Sequence, residues 1–501
     1  MRVNGLEVEP VIGLEVHVQL ATRTKLWCGC PLEFGAEPNS RVCPVCLGLP
    51  GALPVLNRQA VEHAVRTAVA LNCQVAGFTK WDRKSYFYPD LPKNYQISQY
   101  DLPLASGGVF EFPIDHRFAR VRLIRAHLEE DAGKNVHDFP GFTGVDLNRT
   151  GTPLLEIVTE PDLHSAEECR EFAVQLQRLV HYLGVSQANM QMGHIRFEPN
   201  INVIIHADGR EHRTPIVEVK NLNSFRSLHG AVAYEINRQV EAWQADGVTA
   251  ASGNKSNRGW DDEREVTVPQ REKEEAHDYR YFPDPDLVPL TIDAAWVAEL
   301  KEHTPELPIC RTERFISEYK VPAKDAPALV DDRATADLLD HAAEAGGDKA
   351  TLAKHFLSFW ARRANERGQT VAGLGVPAGH LAELATLQAS RKINATAAAQ
   401  VADALLGRRD AAGATTPSPA KLAKELGLLQ SRDEDQIAGW VNEVLTKNEK
   451  AVQDAISNPK KLQASRGFLV GQVMKLSGGQ ADPKIVGELI GKRLGEIAGG
   501  R

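Results

Sequence analysis

The fold is decided by a stretch near the start of the chain, Val11-Ile12-Gly13-Leu14-Glu15-Val16-His17-Val18-Gln19-Leu20. Apolar and polar residues alternate along most of it, and this period of two predicts a β-strand with one buried face. The polar face carries Glu15, His17 and Gln19. A carboxylate beside an imidazole on a rigid strand is half of a metal or acid–base site, although a half-solvated strand without function has the same pattern.

Similar patterns recur through residues 1–293, which are rich in short β-like runs, Gly and Pro. A helix is predicted from Ser165 to Leu183, because Ser165 and Glu168 form a capping-box start before apolar residues at three- and four-residue spacing. Alternating or continuously apolar runs predict further strands at 120–128, 152–159, 195–205 and 216–220.

Carboxylates recur on these predicted strands. Glu156 interrupts an otherwise core-like strand, where burial without a cation partner is costly. Glu198 shares a face with Arg196, and Glu218 shares one with Lys220, while 127–134 adds three acidic residues at the end of a strand. Carboxylates from separate segments share a pocket only if a cation offsets their repulsion, and such oxygen-rich shells suit Mg²⁺ that bridges to phosphates. The residues therefore favour a Mg²⁺–nucleotide site, provided that the segments meet in space.

Four of the seven cysteines lie close together, at Cys28, Cys30, Cys43 and Cys46. Two thiol pairs joined by a short loop can supply the tetrahedral four-sulfur shell that suits Zn²⁺. The alternatives are two disulfides or four unconnected thiols. With all four positions filled by protein, the zinc would be structural and would make the loop 28–46 rigid.

Residues 81–100 hold four of the nine tyrosines, interleaved with Arg83, Lys84 and Lys93. Aromatic faces beside cations suit a base, a sugar or a single-stranded nucleic-acid end, and the alternative is a Pro-bent loop that packs its rings on the core. The chain has no common phosphate-loop, dinucleotide-binding or amidase signature. Any ATP site therefore lies outside the common motif families.

The composition predicts an α+β multidomain protein. A cradle domain at 1–293 precedes an Ala- and Leu-rich helical domain at 294–407, a flexible linker at 408–420 and a helical tail at 421–501. The net charge of −8 excludes a basic coat over the whole surface, but the tail has eight Lys and Arg against three Asp and Glu from Lys460 onward. No signal peptide and no long apolar run are found, which predicts a cytoplasmic protein without a membrane partner.

Long stretches across the chain resemble one known family, the tRNA-dependent amidotransferase B subunits (the GatB family). Besides the opening strand, the similar stretches are Tyr86-Phe87-Tyr88-Pro89-Asp90, Glu129-Glu130-Asp131-Ala132-Gly133-Lys134, Gly151-Thr152-Pro153-Leu154-Leu155-Glu156, Lys220-Asn221-Leu222-Asn223-Ser224-Phe225, Asp278-Tyr279-Arg280-Tyr281-Phe282-Pro283-Asp284-Pro285-Asp286 and Gly467-Phe468-Leu469-Val470-Gly471-Gln472-Val473-Met474.

The resemblance implies an ATP-dependent carbon–nitrogen ligase with glutamine as amide donor. ATP would phosphorylate the side-chain carboxylate of Glu-tRNA(Gln), Asp-tRNA(Asn) or both, and ammonia would then displace phosphate. A separate GatA-like amidase would supply the ammonia, and a small GatC-like protein would complete a heterotrimer. The implied fold is an α/β cradle with a mixed or antiparallel sheet, a helical linker domain and a helical tail that contacts the tRNA.

The resemblance also implies roles for individual residues. The catalytic set would be Glu15, His17, Glu130, Glu156, Glu198 and Glu218, of which all but Glu218 would bind Mg²⁺. ATP or substrate would contact Lys84, Tyr86, Arg196, Lys220 and Asn221, and tRNA would contact Lys460, Lys461 and Lys475.

At 191–200 this chain departs from the family pattern. Gln191 and Met192 replace two glutamates, and Glu198 replaces a shorter aspartate. Two alternatives to the enzyme stay open: a non-catalytic zinc-bearing tRNA-binding scaffold and a stand-alone metal-dependent hydrolase.

Overall fold

A computed structural model describes residues 1–115, 117–137, 139–250, 255–270, 279–412, 417–430, 433–457 and 461–499. The chain divides into two compact units, Met1–Ile309 and Cys310–Arg501. The first unit contains the described strands and the second is helical.

The strands of the first unit, in chain order, are β1 (Arg2–Val3), β2 (Leu6–Gln19), β3 (Gln74–Val75), β4 (Phe78–Thr79), β5 (Asp82–Ser85), β6 (Tyr95–Ser98), β7 (Ala105–Ser106), β8 (Val109–Ile114), β9 (Arg117–Glu130), β10 (Lys134–Val136), β11 (Gly144–Asp146), β12 (Pro153–Thr159), β13 (Ile195–Ala207), β14 (Arg210–Arg213), β15 (Val217–Lys220), β16 (Ser256–Asp261), β17 (Val266–Pro269), β18 (Phe282–Pro283) and β19 (Leu290–Thr291). Its helices are α1 (Arg58–Ala70), α2 (Ala166–Tyr182), α3 (Phe225–Asp246) and α4 (Ala294–Glu302).

Twelve of the described strands form one sheet, whose main path runs β17-β16-β15-β13-β2-β12-β9-β7-β3. Its pairs are antiparallel, apart from the parallel pair β15 and β16. The prediction of a mixed or antiparallel sheet is therefore confirmed. All five predicted strands are present, and β2 and β9 extend beyond the apolar runs that predicted them.

The apolar face of the sheet packs against α2 and α3 in one core. Val16 and Val18 of β2 are fully buried, together with Phe197 of β13, Phe172 of α2 and Val232 of α3. Burying a side chain of this size contributes about 1.5–3 kcal/mol. The alternation that predicted β2 thus reflects a sheet covered by helices on one side.

The predicted helix start at Ser165 is confirmed. The Ser165 hydroxyl accepts a hydrogen bond of 3.1 Å from the Glu168 backbone N–H, and the helix runs from Ala166 to Tyr182. The Glu168 carboxylate accepts from the backbone N–H of His164 at 2.7 Å, one residue before the position that a capping box uses.

The helix α4 lies within the first unit, so that unit extends past the predicted boundary at residue 293. Leu300 is buried in the core of the sheet domain, and Trp296 packs against this core. The Arg58 guanidinium of α1 lies 5.9 Å from the centre of the Trp296 ring. Tertiary packing of α4 therefore outweighs the change in composition that suggested the boundary.

The helices of the second unit are α5 (Pro308–Glu318), which begins at its border, α6 (Arg333–Glu344), α7 (Lys349–His355), α8 (Ala361–Glu366), α9 (Ala378–Ala389), α10 (Ala395–Ala412), α11 (Pro419–Glu425), α12 (Glu434–Lys447), α13 (Glu449–Ser457), α14 (Leu462–Leu476) and α15 (Pro483–Gly499). No helix among the described residues is long and apolar enough to cross a membrane.

The predicted linker at 408–420 overlaps two of these helices. The Ala-rich helix α10 continues to Ala412, as its high helix propensity allows, and α11 begins at Pro419 behind a Ser418 cap. The intervening residues 413–416 lie outside the described residues. The helix α11 packs against α9 and α10, whereas α12 to α15 share a separate apolar core that includes Val441, Leu469 and Ile490.

Candidate functional site

The polar side chains of the sheet meet because of the strand register. In β2, His17 lies opposite Glu156 of β12, and Glu15 lies opposite Glu198 of β13. On its other side, Glu156 lies opposite His127 of β9. Residues directly opposite each other in antiparallel strands point to the same face, so these charged groups line one side of the sheet.

The first acidic group consists of His17, Glu129 and Glu156, whose ligand atoms all lie within 4.8 Å of one another. His17 Nε2 lies 3.6 Å from Glu129 Oε1 and 3.5 Å from Glu156 Oε2. His127 Nε2 is also 3.5 Å from Glu156 Oε2, so this carboxylate lies between two imidazoles. A cation beside this group is Lys84, whose Nζ is 3.8 Å from Glu129 Oε2.

Burial and charge oppose each other in this group. Burial alone lowers the pKa of His17, but the hydrogen bond and charge of Glu156 outweigh it and raise the pKa above its usual value. Burial alone raises the pKa of Glu156, yet the two histidines hold it well below its usual value. Burial lowers the pKa of His127 despite the same carboxylates. The first acidic group therefore keeps Glu156 ionised.

The second acidic group consists of Glu15, Glu198 and Glu218, whose ligand atoms again lie within 4.8 Å of one another. Lys220 Nζ forms ion pairs with Glu198 and, at 2.5 Å, with Glu218 Oε1. Burial lowers the pKa of Lys220, but Glu198 and Glu218 outweigh it and raise the pKa above its usual value. This group therefore contains its own ammonium ion.

Asn200 completes the second acidic group. Its side-chain Nδ2 donates to Glu15 Oε1 at 3.1 Å, and its buried Oδ1 has no hydrogen-bond partner within the described part of the chain. Because Glu15 and His17 are two residues apart on β2, the two acidic groups lie about 7 Å apart along the strand.

Glu130 does not belong to either acidic group; Glu129 lies where the sequence interpretation placed Glu130. Glu130 is 1% exposed, forms an ion pair with Lys93 and accepts from the backbone N–H of Ile97 at 2.9 Å. Successive residues of a strand point to opposite faces, so Glu129 shares the face of His127 and Glu130 does not. Taking every second residue from His127 along the strand would have selected Glu129 from the sequence.

The predicted substrate-binding residues surround the polar face. Arg196 Nη1 is 3.1 Å from Asp131 Oδ2, and its position opposite His17 places it on this face. Asn221 follows β15 directly, is exposed and has a φ of 64°. The side chain of Asn221 packs close to Gly259, since a Cβ built on Gly259 would lie 3.1 Å from Asn221 Nδ2.

Aromatic rings border the first acidic group. Lys84 Nζ lies 5.3 Å from the centre of the Tyr279 ring. The Tyr86 ring meets the same ring edge-on, with the two ring centres 6.1 Å apart. Tyr281 stacks on Tyr100, with the two ring centres 4.3 Å apart. Burial raises the pKa of Tyr281 to about 12, so its hydroxyl stays protonated at neutral pH. These rings lie beside charged groups and are not simply part of the core.

The four predicted zinc ligands come together. One sulfur atom each from Cys28, Cys30, Cys43 and Cys46 lies within 4.8 Å of the others, and all four residues are free of disulfides. The hydrogen bond from Cys28 lowers the pKa of the Cys46 thiol to about 4. This sulfur set has the composition and compactness that a tetrahedral Zn²⁺ site needs.

The predicted tRNA-contacting lysines lie in the second unit. Lys461 Nζ is 3.2 Å from Asp454 Oδ1, and Lys475 is exposed in the last turn of α14. Lys460 lies outside the described residues.

Comparison with known proteins assigns the chain to a family. Residues 10–298 match the family described as the GatB/GatE catalytic domain. The chain belongs to the GatB/GatE family. Its residues 337–494 also match the GatB domain, so the likeness to the GatB/GatE family covers both compact units.

Relatives in the GatB/GatE family match over full length, and each is named as the B subunit of an aspartyl/glutamyl-tRNA(Asn/Gln) amidotransferase. The protein of Moorella thermoacetica is 44% identical over 492 residues, which are 98% of this chain and 100% of the relative. Those of Thermodesulfovibrio yellowstonii and Carboxydothermus hydrogenoformans are 42% and 41% identical, with the same coverage.

Proposed function

We propose that the polar face of the sheet activates a tRNA-borne carboxylate for amidation. The substrate would be Glu-tRNA(Gln), Asp-tRNA(Asn) or both, and the product would be the corresponding amide. The observation that carries this proposal is the pair of acidic groups on one face of the sheet, with Lys84, Arg196 and Lys220 beside them. The names of the full-length relatives support the same reaction.

The chemistry explains why such a site combines anions with cations. Ammonia cannot displace oxide from a carboxylate, so the carboxylate first becomes an acyl phosphate at the expense of ATP. Phosphoryl transfer needs positive groups around the phosphate oxygens, and Lys84, Arg196 and Lys220 are suitably placed on the polar face. Ammonia then attacks the acyl carbon, phosphate leaves, and a carboxylate of the polar face takes the proton lost by nitrogen.

The donor atoms fit Mg²⁺. Five glutamate side chains supply oxygen ligands, as does Asn200 Oδ1, which has no hydrogen-bond partner among the described residues, and His17 adds one nitrogen. Glu129, Glu156 and His17 would hold an ion in the first acidic group, and Glu15, Glu198 and Glu218 in the second. When bound, Mg²⁺ neutralises charge on the phosphates.

Further parts of the proposal concern the rest of the protein. A structural Zn²⁺ would occupy the four cysteines, and Lys461 and Lys475 of the tail would contact the tRNA body, as would Lys460. A GatA-like amidase and a small GatC-like protein would complete a heterotrimer, since the relatives are named as B subunits. The assembly would act in the cytoplasm.

The test is glutamine- and ATP-dependent amide formation by the reconstituted complex with misacylated tRNA. Glu156→Gln and Glu15→Gln should each lower product formation about 10²–10³-fold while tRNA binding survives, because each removes a negative charge from the polar face. Glu111→Gln is the matched control, since Glu111 is exposed on β8.

Unchanged product formation in both variants would favour the scaffold alternative. Turnover by the isolated chain without ATP or partner proteins would instead favour the metal-dependent hydrolase.

A further inference from the structure

Lys25 is an unusual residue, because its side chain is fully buried at 0% exposure. Its Nζ lies 3.6 Å from Cys46 Sγ and 3.5 Å from the backbone oxygen of Leu147. Among the residues that the structure describes, no carboxylate lies within ion-pair distance of Lys25 Nζ. A buried ammonium without an anionic partner costs several kcal/mol, so this position requires negative charge nearby.

The cysteine cluster can provide that charge. Four protonated thiols are neutral, and a single thiolate at Cys46 would supply one negative charge beside Lys25. Four thiolates around one divalent cation carry a net charge of about −2, which attracts an adjacent ammonium. Cys46 Sγ also accepts a hydrogen bond of 3.1 Å from the backbone N–H of Cys43. The Cys43 N–H and the Lys25 ammonium therefore both donate to this sulfur atom.

The same lysine connects the cysteine cluster to the segment 147–151. A Cβ on Gly151 would lie 3.5 Å from Lys25 Cδ, 3.7 Å from Glu130 Oε2 and 3.8 Å from Cys46 Cβ. The backbone N–H of Leu26 donates to the Gly151 oxygen at 2.8 Å. Gly151 lies two residues before β12, the strand that carries Glu156.

We propose that Lys25 is a positioning residue that balances the charge of the metal-loaded cysteine cluster and fixes the segment 147–151 against it. Metal occupancy and Lys25 then stabilise each other, and the metal acts through Lys25 on the segment that leads to Glu156. The inference rests on the zinc occupancy in the proposed function, and it does not depend on the amidation chemistry.

The test measures thermal unfolding of the full chain with the Lys25→Met substitution in two backgrounds. In the zinc-loaded protein, Lys25→Met should lower Tm and speed zinc release to a chromogenic chelator by about tenfold, the usual effect of losing an outer-shell partner. In a Cys28→Ser/Cys46→Ser background, which holds no zinc, the same substitution should raise Tm, because it removes a buried charge without a counter-ion. A merely structural lysine would lower Tm in both backgrounds.

Arg41→Met is the matched control, since Arg41 lies between the two cysteine pairs but is partly exposed and pairs with Glu33. It should leave zinc release unchanged. Lys25→Arg keeps the positive charge and should retain zinc more firmly than Lys25→Met.

Equal zinc release from wild type, Lys25→Met and Lys25→Arg would overturn the proposal, as would a Tm change of the same sign in both backgrounds. Wild-type protein without zinc would overturn the metal assignment separately, and it would leave the amidation proposal standing.

Discussion

The two acidic groups of the sheet have the same number of ligand residues but differ in how their charge is balanced. In the second acidic group, Lys220 Nζ pairs directly with Glu198 and Glu218, and Lys255 Nζ lies 3.4 Å from Glu218. In the first, the ammonium of Lys84 is 3.8 Å from Glu129, further ion-pair contacts come from imidazoles, and the Ser98 hydroxyl donates to Glu129 Oε2 at 3.3 Å. Ammonium ions thus pair less closely with the carboxylates of the first group, and we expect this group to bind metal more tightly than the second.

The largest expected effect separates two adjacent glutamates. Glu129→Gln should weaken Mn²⁺ binding to the isolated chain about 100-fold, because it removes a carboxylate from the first acidic group. Glu130→Gln should leave Mn²⁺ binding within about threefold and lower the free energy of unfolding by about 1–3 kcal/mol, because Lys93 loses its buried partner. Electron paramagnetic resonance titration and urea unfolding measure the two quantities. The reverse order of Mn²⁺ affinities would contradict the placement of Glu129.

A second prediction removes the internal cation of the second acidic group. Lys220→Met should lower the free energy of unfolding by about 1–3 kcal/mol, because Glu218 is 3% exposed and the neighbouring ammonium of Lys255 is more distant. Added Mn²⁺ should restore part of this loss, since the ion can replace the ammonium. Arg226→Met, which removes an exposed ion pair with Glu265, serves as the control. If Mn²⁺ does not reduce this loss of stability, the ammonium of Lys220 does not balance the charge of the second acidic group as proposed.

The smallest expected effect concerns His127, which sequence reasoning overlooked. His127→Leu should weaken Mn²⁺ binding to the first acidic group about tenfold, because Glu156 loses one of its two imidazole neighbours. His127→Gln keeps an N–H donor and should remain within about threefold of wild type. Equal affinities for His127→Leu and wild type would mean that His17 alone orients Glu156.

Much of the fold follows from local patterns in the sequence. The alternation in β2 and the Ser165 cap predicted their elements because both signals arise within a few residues. The four cysteines were also recognised from spacing alone, since short loops force such thiols together. Their metal, like the roles of the acidic residues, stays a prediction.

Other features depend on tertiary packing and could not be inferred in this way. The docking of α4 is decided by contacts with distant residues. The burial of Lys25 is likewise invisible in sequence, because lysine is ordinarily a surface residue. Glu129 could have been identified from the sequence once His127 was placed on the polar face, because alternate residues of a strand point to the same face.

The pairing of β12 has a mechanical consequence for the substrate. This strand is hydrogen-bonded to β2 on one side and to β9 on the other, and a slip of one residue would replace Glu156 by Leu155 on the polar face. The sheet beneath the proposed site is therefore a platform whose strand register is fixed. If aspartyl and glutamyl substrates both react here, the difference in their reach has to be absorbed above the platform, by the surrounding loops or by the tRNA end itself.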